Sequence, residues 1–213
     1  SRQAADPDQT PGQLGAAEYS PSRMLRSVSF YGLWFCYVIG TLAGLTVIGM
    51  TASFAQEAAG LTAAGAAVAV SIFAIFNGLG RPIFGAIHDA IGVRLSVVVS
   101  FILISLAAGL SLLVRDGSLV PFYAGFGTFW LMLGGWLAMA PAATTRLFGA
   151  SNYARNYGIM YTAYGVGGLA GGFVAGALYG EHGSFNPLFV FVLGLCGVGV
   201  VIALTTLPGR RRA

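Results

Sequence analysis

The chain has 213 residues, of which 56% are hydrophobic and 8% charged, with a mean hydropathy of +0.78 and a formal net charge of +4. Soluble domains carry roughly a quarter charged residues, and disordered chains combine low hydrophobicity with high charge, so both classes are excluded. A spanning helix needs about 20 apolar residues, which leaves room for at most about eight crossings in a polytopic membrane protein.

Residues 1–27 are polar and turn-rich, with Pro7, Pro11, Gly12 and Pro21, and they mix Arg2, Arg23 and Arg26 with Asp6, Asp8 and Glu18. This composition predicts a flexible linker. A signal peptide is not expected, because the apolar stretch behind it is far longer than a signal core. Six apolar runs follow, at 30–55, 63–87, 95–113, 119–143, 158–179 and 185–207. None alternates polar with apolar as a barrel strand does, so each is a helix that satisfies its own backbone in lipid. The expected class is all-α, with a six-helix transmembrane bundle over 28–208 and a basic tail over 209–213.

The breaks between runs are short, so arginine bias sets the orientation. With the linker in the cytoplasm, that side collects Arg2, Arg23, Arg26, Arg94, Arg146, Arg155, Arg210, Arg211 and Arg212, against Arg115 alone outside. Both ends of the chain are therefore expected in the cytoplasm of a prokaryote, whose inner membrane the chain crosses. Topology accounts for the net charge, with the basic tail drawn to anionic lipid, and no nucleic-acid partner is expected.

Arg81 stands inside the second run, in FNGLGRPIFGAI. A cation near the bilayer centre costs about 2.5–3.5 kcal/mol on the mildest insertion scale. Asn77 lies one turn earlier on the same helix face, and Pro82 frees the carbonyl of Gly78. Two readings are open at this point. The residues form an anion site, or Arg81 snorkels to the headgroups and bonds carbonyls between helices.

In the fifth run Tyr157, Tyr161 and Tyr164 recur at i, i+4 and i+7, lining one face with phenols. Glycines fill much of the remainder, and small residues let membrane helices approach closely. Tyr153 and Tyr157 suit an interfacial belt. Tyr164 is eight residues beyond Asn156, roughly 12 Å along the axis, and Arg81 is eight residues from Asp89. The two therefore share a depth, on the middle helix of each triplet of spans. Paired glycine interruptions there, GLGRP and GVGG, point to the central site of a transporter built from inverted repeats.

The stretch GAIHDAIGVR resembles the signature cytoplasmic loop of the major facilitator superfamily, G-x-x-x-D-x-x-G-x-R. Gly85, Asp89, Gly92 and Arg94 match, and Ala90 replaces the usual basic residue. With GTLAGLTVIG at 40–49, NGLGRPIFGAIHDAIG at 77–92, LFGASNYARNYGIMYTAYGVGG at 147–168 and YSPSRMLRSVSFYGLW at 19–34, the chain resembles the C-terminal half of such a transporter. More narrowly, it is similar to the oxalate:formate antiporter family. The resemblance implies half of a twelve-helix bundle of inverted three-helix repeats, with a missing N-terminal six-helix half across a central cavity.

It also implies alternating access for a small carboxylate, by antiport or proton coupling. Arg81 would neutralise the substrate, Asn77, Tyr161 and Tyr164 would hydrogen-bond it, and Gly85, Asp89, Gly92 and Arg94 would form the cytoplasmic gate, with Asp89 and Arg94 both helping to latch that side. Oxalate exchangers have a lysine where this chain has Tyr164. A monocarboxylate such as formate, lactate or pyruvate therefore fits at least as well. Catalysis is not expected, since His88 and His182 fall in loops without acidic or serine partners suited to it. Cys36 and Cys196 adjoin no His or acidic cluster, so no metal site or cofactor is expected either. Two other classes fit the same spans: a half-length membrane domain for assembly or sensing, and a half-transporter that homodimerises.

Overall fold

A computed structural model describes residues 18–115 and 117–209, and they are helical apart from short connections. A single turn, α1 (Pro21–Met24), precedes six long helices: α2 (Val28–Glu57), α3 (Ala63–Ile91), α4 (Val93–Leu112), α5 (Leu119–Phe148), α6 (Tyr153–His182) and α7 (Asn186–Thr206). Hydroxyls cap the early ones, with Phe30 N donating to Ser27 Oγ at 3.2 Å and Gly65 N to Thr62 Oγ1 at 3.1 Å. At 1.5 Å per residue, a 30-residue helix is about 45 Å long and exceeds the hydrocarbon core.

Five of the long helices, α2, α3, α4, α5 and α7, are long and apolar enough to cross a membrane. The sixth expected crossing, α6, has the length but not the apolarity, because Arg155, Asn156, its tyrosines and its glycines dilute it. The helices also outrun their apolar cores. α3 continues through Pro82 to Ile91 and α5 continues to Phe148, so the expected break at 144–157 shrinks to 149–152. Apolar composition marks the hydrocarbon layer, whereas the backbone ladder persists into the interface.

The six helices divide into triplets with matching neighbours. α3 packs chiefly on α5, and α6 chiefly on α2; α4 also packs on α5, and α7 on α2; α2 meets α5, and α4 meets α7. Exchanging α2, α3 and α4 for α5, α6 and α7 maps this set onto itself. Three crossings are an odd number, so the second triplet starts on the opposite side of the bilayer and is an inverted copy of the first.

Glycine sets both of the closest seams. A Cβ at Gly80 of α3 would collide with Leu131 O of α5, and one at Gly134 of α5 would collide with Asn77 O of α3. On the other seam, Gly167 and Gly171 of α6 lie against Thr41 and Thr46 of α2. Gly80 and Gly171 occupy nearly equivalent places along their helices. At the end opposite Arg94, Arg146 and Arg155, Phe54, Phe122, Phe126 and Phe189 bind α2, α5 and α7 into an aromatic core, with the Phe54 and Phe126 centroids 4.6 Å apart.

At the basic end, around Arg94, Arg146 and Arg155, both turns depend on a glycine. Gly92 (φ 84°, ψ 175°) is the whole connection between α3 and α4, and Gly149 (φ 84°, ψ 170°) ends α5. Only glycine adopts that conformation without strain.

Residues 18–27, expected to belong to a flexible linker, are folded onto this end. Tyr19 N donates to Phe148 O at 2.9 Å, Asn156 Nδ2 donates to Tyr19 O at 3.0 Å, and Ser151 N donates to a Glu18 carboxylate oxygen at 3.0 Å. Arg23 lies 4.4 Å over the Tyr19 ring, and Met24 is fully buried. A polar composition concealed these anchors. The remainder of the expected linker, 1–17, and the arginines of the basic tail, within 210–213, lie outside the described residues.

Gly80→Leu should cost about 3 kcal/mol or more, because the obstacle is backbone that a rotamer change does not clear. Thermal unfolding in detergent measures the loss, with Gly197→Ala on the open face of α7 as the unaffected control. Gly92→Ala should cost about 1–3 kcal/mol in the same assay, from backbone strain alone.

Candidate functional site

α3 has three faces, which place Arg81. One, with Ala66, Ala69, Phe73, Gly80 and Phe84, is buried against the bundle. A second is an exposed apolar stripe of Val68, Ile72, Ile75, Leu79 and Ile83 that suits lipid. The third repeats small or polar residues at Ala67, Ser71, Ala74, Gly78, Arg81 and Gly85, and all but the half-buried Gly85 are exposed. That spacing alternates four and three residues, the period of a helix–helix seam. α6 has a similar uncovered row at Gly158, Tyr161, Gly165, Gly168 and Gly172, of which only Gly168 is half-buried.

Arg81 and Tyr161 each interrupt one of these rows with a polar side chain. Arg81 lies ten residues from the C-terminal end of α3, and Tyr164 eleven from the start of α6. Both are therefore about 15 Å along their helices from the basic end. They sit on different helices, and α3 and α6 pack chiefly on α5 and α2 and not on each other. Tyr161 and Tyr164 stack with centroids 5.2 Å apart and planes 8° from parallel. Tyr157 continues the ladder 5.7 Å from Tyr161, and Tyr153 stacks on Tyr157 at 5.5 Å.

Asn77 does not join them as a free amide. Its Nδ2 donates to Trp130 O at 3.1 Å and ties α3 to α5 one turn before Arg81. The close approach at Gly134 brings that carbonyl within reach.

Sequence reasoning missed the layer beneath the phenols. Tyr37 of α2 stacks on Trp136 of α5 at 5.7 Å and 16°, and lies 6.3 Å from Tyr164 and 6.5 Å from Tyr161. Trp136 in turn meets Phe101 of α4 at 5.7 Å, so a row of rings joins α4, α5, α2 and α6. Tyr37 and Trp136 are fully buried, and neither the Tyr37 hydroxyl nor Trp136 Nε1 has a hydrogen-bond partner among the described residues. Each unmet polar group costs about 1–3 kcal/mol. Gly40 marks this layer in the sequence, since the Trp136 indole packs against its bare Cα.

Gly85, Asp89, Gly92 and Arg94 cluster at the basic end. Arg94 Nε donates to Leu207 O at 2.6 Å, tying α4 to the end of α7 rather than to Asp89. Asp89 is exposed on the last turns of α3, because the helix continues to Ile91 before Gly92 redirects the chain. His88 is likewise helical, not in a loop, and it has a serine partner. It is buried with Nδ1 3.0 Å from Ser96 Oγ, and it feels the charges of Arg146 and Asp89. Ser96 Oγ also donates to Val93 O at 3.0 Å. A tautomer with Nδ1 as the donor suits both contacts, and the pair fastens α3 to α4. His182 closes α6, with its Nδ1 3.1 Å from Leu178 O.

The Major Facilitator Superfamily model matches residues 33–213. An uncharacterised MFS-type transporter, YhjX, of Escherichia coli (strain K12) is 30% identical over 152 residues, 71% of this chain and 38% of its own. The oxalate:formate antiporter of Oxalobacter formigenes is 26% identical over 206 residues, 93% of this chain and 49% of its own. An uncharacterised 38 kDa protein in a 23S RNA operon of Thermoproteus tenax is 26% identical over 191 residues, 89% of this chain and 48% of its own. The chain thus spans less than half the length of each of these relatives. With six long helices in two inverted triplets and a family match over most of its length, this chain belongs to the major facilitator superfamily of membrane transporters.

Proposed function

We propose that the chain is the C-terminal half of a secondary transporter that moves a small carboxylate by alternating access, as an antiporter or with a proton. The observation that carries this reading is Arg81: a cation about 15 Å along its helix, with no carboxylate partner among the described residues, on an uncovered face and level with the stacked phenols of α6. A cation at such depth is a functional site by default. The uncovered rows of small residues on α3 and α6 fit close packing by helices of an N-terminal half, with Arg81 and Tyr161 left facing the cavity between.

In this reading Arg81 binds the carboxylate, and Tyr161 and Tyr164 donate hydrogen bonds to it. Asn77 holds α3 on α5 so that Arg81 keeps its place. Gly92 and Arg94 shape the end that opens to the cytoplasm of a prokaryotic inner membrane, and Gly85 and Asp89 face the other half there. The similarity to an oxalate:formate antiporter supports a small carboxylate. One cation in this half favours a monoanion over a dianion.

Uptake of labelled formate, lactate and oxalate by proteoliposomes containing the complete transporter tests the reading. A monocarboxylate should be carried, and Arg81→Ala should reduce transport by about 10–100-fold, the equivalent of roughly 1.5–3 kcal/mol for a charged hydrogen bond. Arg81→Lys should retain part of it. Unchanged uptake by Arg81→Ala would refute the site.

A further inference from the structure

α3 and α4 leave the Gly92 turn as neighbours, and both pack on α5 more than on each other. Away from that turn they leave a groove over α5, lined by Phe76 of α3, Leu110 of α4, and Leu119, Tyr123, Ala124 and Leu131 of α5. Its volume is about 680 Å³, and no charged side chain among the described residues lines it. Apart from Tyr123, the polar side chain in its wall is Thr128, whose hydroxyl is satisfied by donating back to Ala124 O at 2.8 Å.

The direction, length and width of the groove indicate what covers it. Ile72, Phe76, Leu79 and Ile83 follow at intervals of four, three and four residues, so Phe76 belongs to the exposed apolar stripe of α3. The row of Ala67, Ser71, Ala74, Gly78 and Arg81 lies on another face, so the groove opens towards lipid and away from the other half of a transporter. From Leu119 to Leu131 it follows α5 for about 18 Å. One leaflet contributes about half of a hydrocarbon core roughly 30 Å thick, a similar depth. Spread over that length, the volume gives a channel about 6 Å across. A helix, about 10–12 Å across with its side chains, is too wide for it, whereas a hydrocarbon chain fits. At its mouth the connection between α4 and α5 carries the exposed Arg115, a cation suited to a phosphate.

We propose that this groove is a phospholipid site. One acyl chain lies along α5 between α3 and α4, and the lipid phosphate meets Arg115 at the α4–α5 connection. The chain fills the wedge between α3 and α4 and joins them at the end where no glycine turn does. The site depends on the membrane fold alone and is independent of what the transporter carries.

The test uses the complete transporter in detergent. Native mass spectrometry counts the phospholipid that survives extraction, and delipidated protein is then titrated with dioleoylphosphatidylglycerol in mixed micelles while thermal unfolding is followed. Ala124→Trp puts an indole into the groove from an exposed position. It should hold one phospholipid fewer than the parent and need at least tenfold more lipid for half of the rise in unfolding temperature. Leu110→Trp, which fills the groove from α4, should do the same and serves if Ala124→Trp does not fold. Arg115→Gln, outside the helices, should need about fivefold more lipid. Val198→Trp, on the exposed side of α7, should match the parent. Equal lipid counts in the groove-filling variants and the parent, a rise in unfolding temperature that they share with Val198→Trp, or an unaffected Arg115→Gln would each overturn the site, since lipid would then only solvate the surface.

Discussion

Close approach of backbone to backbone along two glycine seams is the contact on which this bundle depends. Lipid is as apolar as any leucine, so burying apolar surface does not by itself draw membrane helices together. What remains is dispersion at short range and a few interhelical hydrogen bonds, and both need helices that lie very near one another. Gly80 with Gly134 on the α3–α5 seam, and Gly167 with Gly171 on the α2–α6 seam, provide that proximity. The Asn77 to Trp130 O bond exists only because α3 and α5 are so close, and it fixes the turn that carries Arg81. The α2–α6 contact likewise brings Tyr161 and Tyr164 of α6 onto Tyr37, which stacks on Trp136.

The seams also decide what is left uncovered. Each of α3 and α6, the middle helices of the two triplets, places a close-packing glycine against a partner within the chain. Each still has a second row of small residues facing outward, and those rows hold Arg81 and Tyr161. A charge at such depth is tolerable where it meets water or a counter-ion and costly against hydrocarbon. In the proposed reading the described residues have a physical direction: apolar stripes to lipid, and small-residue rows, with Arg81 and Tyr161 among them, to a partner.

Much of this was legible in the sequence, for reasons specific to membranes. Long apolar runs report crossings, so six helices and their order followed from composition. Arg81 stood out because nothing else charged lies inside a run. The period of Tyr157, Tyr161 and Tyr164 placed the phenols on one face, and counting from the loops put Tyr164 level with Arg81. Hydropathy says nothing about helix ends beyond the hydrocarbon, so α3 and α5 ran longer than expected. His88 and Asp89 thereby moved from a loop onto a helix, and the tie from Arg94 to Leu207 O went unforeseen. The anchoring of residues 18–27 was hidden because main-chain hydrogen bonds and one buried methionine leave no trace in a polar composition. Tyr37 and Trp136 were hidden because an aromatic residue in an apolar run is ordinary until the facing helix is known.

The central claim is that Arg81 faces a water-filled cavity and binds a carboxylate there. Modification of the intact, reconstituted transporter by the arginine reagent p-hydroxyphenylglyoxal, with peptide mass spectrometry to read Arg81 alone, tests it on the unaltered protein. The account predicts that Arg81 is modified from water and that a transported carboxylate protects it, while Arg94 and Arg146 react at unchanged rates. Arg81 that resists the reagent in every condition, or that reacts equally with and without carboxylate, would contradict it.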